Sequence, residues 1–126
     1  NIHSLLLSMP HLESLTLSGH STYNGEMCGA IPAYGSSLRF LSLIEFSVLN
    51  NKGLTNILRH CGNLRAMSLS SVPGITLIII DSMMVNCPKL ERVYLTHCNT
   101  RPYVLTKKRN TLKFNFTVEI VEPRIR

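Results

Sequence analysis

Three apolar columns recur along this chain with a constant period of 26, and that period restricts its fold more than any other feature. Leu12, Leu38, Leu64 and Leu90 form the first column. Leu15, Leu41, Met67 and Val93 form the second, and Leu17, Leu43, Leu69 and Leu95 the third. The strings HLESLTL, SLRFLSL, NLRAMSL and KLERVYL thus share the pattern L-x-x-L-x-L four times in phase, without an insertion. Two flanking positions keep step with them: Met9, Gly35, Cys61 and Cys87 on one side, and His20, Phe46, Val72 and Cys98 on the other. A period between about 20 and 50 residues marks a stack of equal units, none of which can bury its apolar face without its neighbours.

Within each unit, alternating apolar residues predict a strand of about five residues. The remainder predicts a helix of about ten residues, because Leu54, Ile57, Leu58 and Cys61 fall at i, i+3, i+4 and i+7, and so do Ile80, Met83, Met84 and Cys87. The β-branched run Ile78 to Ile80 favours a strand on its own, but the phase of the repeat favours a helix. Ile2 and Leu5 stand in the same helical columns one period earlier, so the chain opens inside an apolar element and reads as a piece of a longer protein. Parallel strands joined through helices require right-handed crossovers. The expected fold is therefore α/β: a curved right-handed solenoid with parallel strands on its concave face and helices on its convex face. Units start near residues 9, 35, 61 and 87 after a partial unit at 1–8; the solenoid is expected to span 1–112, with a capping strand and basic tail at 113–126.

The unit resembles the cysteine-containing leucine-rich repeat, C-P-x-L-x-x-L-x-L-x-x-C followed by I-T-D-x-x-L. CPKLERVYLTHC, residues 87–98, matches the first part at every specified position except Val93, and CGNLRAMSL, residues 61–69, matches most of it. Leu49-Asn50-Asn51 and Ile75-Thr76-Leu77 stand where I-T-D is expected. The resemblance covers residues 1 to about 100 and implies a ribonuclease-inhibitor-like leucine-rich-repeat architecture. It also implies similarity to the substrate-binding arms of F-box and leucine-rich-repeat proteins, which present targets to a ubiquitin ligase; the F-box that engages the ligase adaptor would lie outside this chain.

Other classes fare worse. At 44% hydrophobic and 16% charged residues the composition suits a folded domain rather than a disordered segment. The longest apolar run, Ile75 to Ile80, falls far short of the ~20 residues a membrane-spanning helix needs, and no membrane partner is expected. Among Cys28, Cys61, Cys87 and Cys98 the nearest two are Cys87 and Cys98, so the close pairs of a zinc site are missing, and all four occupy apolar positions of the repeat. They are expected as buried thiols, with no metal and no cofactor, in a cytoplasmic or nuclear setting. Asp81 is the only Asp, and no nucleophile–base pattern or phosphate loop is present, so the chain is expected not to be an enzyme. Asn115-Phe116-Thr117 is formally a glycosylation sequon, but it falls in an alternating run, Phe114 to Ile120, that reads as a terminal strand. Residues 101–126 carry seven of the 13 Lys and Arg and two of the seven acidic residues. Their segment Arg101 to Arg109 reads as a solvated loop before a closing strand.

If the leucines point inward, the residues between them face outward in aligned columns. These columns are Ser14, Phe40, Ala66 and Arg92; Thr16, Ser42, Ser68 and Tyr94; and Ser18, Ile44, Ser70 and Thr96, flanked by Arg39 and Arg65. Phe40, Ile44, Arg65, Arg92 and Tyr94 are expected to bind a protein partner, since aromatic residues and Arg anchor interfaces and the core does not need them. The function expected is a protein-interaction module, the recognition arm of an F-box-type ubiquitin-ligase receptor. Two alternatives stand beside it: a leucine-rich-repeat regulator of a GTPase or nuclease, whose units run to about 28 residues, and a nucleic-acid-associated repeat protein using the basic tail.

Overall fold

The computed structural model describes residues 11–20, 22–100, 103–107 and 116–120, with side chains over 11–20 and 25–100. Its elements are, in order, β1 (Ser14–Ser18), α1 (Thr22–Gly29), α2 (Ile31–Tyr34), a 3-10 turn (Gly35–Ser37), β2 (Phe40–Ile44) and α3 (Asn51–Leu58). There follow β3 (Ala66–Ser70), α4 (Ile78–Asn86), β4 (Arg92–Thr96), β5 (Tyr103–Lys107) and β6 (Phe116–Ile120). The chain is mixed α/β, and all six strands join one sheet in the order β1-β2-β3-β4-β5-β6. β1 to β4 are parallel, and each residue pairs with its equivalent one period on, as in Leu15 with Leu41, Leu41 with Met67 and Met67 with Val93. Side-chain period two then sends the second and third columns to the same side. There they pack with residues of the intervening helices into one continuous core, from Leu15 on β1 to Leu95 on β4.

A repeated backbone arrangement fixes the entry to each strand. The Glu13 carbonyl accepts from the Arg39 and Phe40 N–H groups, the Arg39 carbonyl from Arg65 and Ala66, and the Arg65 carbonyl from Glu91 and Arg92. At the trailing ends Glu45, Ser71 and His97, again one period apart, take φ of 59°, 56° and 54°. This left-handed geometry is uncommon outside glycine, and it turns the chain away from the sheet at the same point in successive units. Gly74 allows a further close approach: its backbone bridges to Asn50, and a Cβ there would collide with the Leu49 carbonyl.

The helical side is less regular than the spacing predicts. In α3 the expected residues Leu54, Ile57 and Leu58 are buried, together with Cys61 just beyond it. In α4, however, Met83 and Ile79 are buried, Ile80 is half-buried and Met84 is exposed. The connection 71–77 is longer by one than 45–50, so α4 starts one position late in the repeat and presents a different face. Ile78 to Ile80 let this happen, since an apolar side chain is available at each of those positions. Between β1 and β2 the helix is broken into α1 and α2, with Pro32 in the first turn of α2. Tyr34 closes that break by donating its hydroxyl hydrogen to the Met27 carbonyl at 2.7 Å.

One reading of the C-terminal region changes. Tyr103–Lys107, expected within a solvated loop, is strand β5, which pairs antiparallel with β4. Its Tyr-Val-Leu-Thr run is strand-forming chemistry, masked in the sequence by the adjacent charges. β6 lies within the segment expected to cap the fold and pairs antiparallel with β5. Met9, Phe114, Asn115, Arg109 and the partial unit 1–8 lie outside the described residues. Among the described residues no helix is long and apolar enough to cross a membrane.

Candidate partner-binding face

The register sets the outward columns. Ser14, Phe40, Ala66 and Arg92 are paired in sequence across β1 to β4, as are Thr16, Ser42, Ser68 and Tyr94, and Ser18, Ile44, Ser70 and Thr96. These residues alternate with the buried leucines and so share the sheet face opposite the core. Phe40, Ile44 and Tyr94 are half-buried and Arg92 is exposed, while Ser42, between Phe40 and Ile44, is buried. Arg92 and Phe40 stand two strands apart in one column, roughly 10 Å across the sheet. The face combines small hydroxyl residues with two aromatic rings, an aliphatic side chain and a guanidinium. β4 is not the sheet edge, because β5 places Thr106 opposite Arg92 and Val104 opposite Tyr94.

Arg65 belongs to a different row. It precedes β3, at the point where the Arg39 carbonyl receives its N–H, and not on the alternating face with Phe40 and Tyr94. Its companions in that row are Glu13, Arg39 and Glu91, so that all four stand one period apart in succession. Arg39 meets Glu13 at 3.5 Å, and Arg65 meets Glu91 at 3.6 Å. Sequence reasoning noted the two arginines but missed their carboxylates, although the same period marks all four positions. At the opposite ends of the strands, the His20 imidazole contacts the Glu45 carboxylate. His20 is exposed although it occupies the column that holds Phe46 and Val72 in later units.

Comparison with protein-family models, with curated proteins and with solved structures found no match to this chain.

All four cysteines are free thiols. Cys28, Cys61 and Cys87 are buried, whereas Cys98, expected in the core, is half-buried just beyond β4 with its thiol 3.8 Å from the Leu69 carbonyl. Burial pushes the Cys28 and Cys87 thiols up to about 11, and burial together with neighbouring Cys87 pushes Cys61 up to about 12. Such thiols stay protonated at neutral pH, and the protonated form is neither the nucleophile nor the metal ligand. Among the described residues no group of three or more His, Cys, Asp and Glu side chains converges to hold a metal.

Proposed function

We propose that this chain is a segment of a cysteine-containing leucine-rich-repeat solenoid, and that the outward face of its parallel strands binds a protein. In that reading it is the substrate-recognition arm of an F-box-type ubiquitin-ligase receptor of the cytoplasm or nucleus, which works by binding without chemistry of its own. One observation carries the proposal: four in-phase strands place Phe40, Ile44, Arg92 and Tyr94 on a single face that the core does not use. Rings and guanidinium groups fill pockets that the surrounding Ser and Thr cannot, and they dominate measured interface energetics. Arg65 contributes from the leading edge of that face.

The test is capture of a partner by the chain, followed by titration of the purified partner with variants. Tyr94→Ala or Arg92→Ala should each weaken binding by more than ~1 kcal/mol while leaving the far-UV spectrum unchanged. Joint replacement of Lys107, Lys108 and Arg109 by Ala should alter mainly the salt dependence of association. Binding that survives both face substitutions but vanishes with the triple variant would move the site to the basic segment and refute the sheet-face assignment.

A further inference from the structure

At the leading ends of the strands, beside the sheet face, lies a polar cavity of about 280 Å³ whose lining includes His11, Glu13, Arg39, Asn63, Arg65 and Lys89. Three permanent cations line it with one carboxylate, Glu13, and a second carboxylate, Glu91, pairs with Arg65. The row runs Glu13, Arg39, Arg65, Glu91, so the two arginines are adjacent and their carboxylates lie on the outer sides. The two arginines therefore stem from neighbouring strands, whose spacing is about 4.8 Å, and each reaches to its own outer carboxylate. The backbone holds them there, because the Arg39 carbonyl accepts from the N–H groups of both Arg65 and Ala66. Each ion pair is a single contact of 3.5 or 3.6 Å between half-exposed side chains, a geometry too loose to tie up a guanidinium. Lys89 donates to the Asn63 amide oxygen at 2.8 Å, and Asn63 in turn donates to the Ser36 carbonyl at 2.7 Å. The ammonium is thus aimed along the cavity wall by a neutral group.

We propose that this cavity binds a phosphate monoester. Two planar forks and an ammonium, set against Glu13 and Glu91, leave an excess of one positive charge and offer donors on several sides. A phosphate monoester, with a charge near −2 and three acceptor oxygens, can displace these loosely held carboxylates and engage several donors at once, whereas a carboxylate brings one charge and two oxygens, no more than Glu13 already offers. Glu13 is the internal competitor, holding Arg39 until the ligand arrives. The cavity stands whether or not the sheet face binds a protein, and its test requires no partner.

The experiment titrates the ¹⁵N-labelled chain with inorganic phosphate at constant ionic strength and follows the Arg39 and Arg65 Nε–H signals. Saturable shifts are expected. Arg39→Gln or Arg65→Gln should weaken binding at least tenfold, and Glu13→Gln, an exposed change that removes the competing carboxylate, should tighten it about threefold. A phosphoserine peptide and glycerol phosphate, titrated in parallel, identify the source of the phosphate: whichever binds tenfold tighter names it, and either result supports the site. Shifts that rise linearly without saturating, that chloride reproduces, or that Glu13→Gln weakens would overturn the proposal.

Discussion

A thiol in a core column differs from a leucine in one respect: it can lose a proton. Cys61, with Cys28 and Cys87, holds its proton more tightly in the folded chain than the ordinary thiol value of about 8.5 allows, because a thiolate there would be stripped of water. Between roughly pH 8.5 and 11 to 12 the folded state therefore binds more protons than the unfolded state. Stability must fall as pH rises through that window, and below it these thiols impose no pH dependence. Tyr34, also pushed up by burial, adds in the same direction. Urea midpoints measured from pH 7 to 10.5 should decline above pH 9, with a shallower decline in Cys61→Ala. Alkylation of the native chain at pH 7.5 should be slow and become fast on unfolding. Identical slopes for the two proteins would show that Cys61 is not the buried acid described here.

Among the elements, α3 and α4 differ at their starts. Asn50 caps α3, its Oδ1 accepting from the Gly53 N–H at 2.8 Å, whereas Leu77 offers α4 no side-chain cap. Asn50→Ala should cost about 1 kcal/mol and lower the thermal midpoint by a few degrees. Circular dichroism melts check this, and an unchanged midpoint would mean that α3 is held by packing alone. Strands and register were legible in the sequence because alternation and the period of 26 agree at Leu15, Leu41, Met67 and Val93. The phase of α4 was not legible, since Ile78, Ile79 and Ile80 satisfy any helical face and the length of the connection decides between them. β5 escaped notice because Lys107 to Arg109 drew attention to charge and away from Tyr103 to Thr106. At the candidate site, alternation gave Phe40, Arg92 and Tyr94 their common face. It could not place Arg65, which precedes its strand, where side-chain alternation gives no guide.

At the scale of the whole molecule, the sheet is finished differently on its two sides. β5 and β6 extend it antiparallel beyond β4, while β1 lies at the other edge of the six strands. Leu15 on β1 keeps some exposure where Leu41, its partner on β2, keeps none. Between the parallel strands the path is uneven, although strand follows strand at a constant interval. The stretch from the end of α3 to β3 is longer than that from the end of α4 to β4, and α4 itself is the longer helix. All of the irregularity is taken up on the helical side. One residue inserted after Ser47, in the exposed turn before α3, should therefore shift the thermal midpoint by only a few degrees. The same insertion after Leu41 would turn Leu43 outward and abolish cooperative melting, because a slip of one residue moves a strand's core set to the wrong face. Similar melts for the two insertions would contradict this division. In an evolving lineage, length changes should accordingly accumulate in the connections flanking the helices. The interval between strands should outlast the identity of the residues that now mark it.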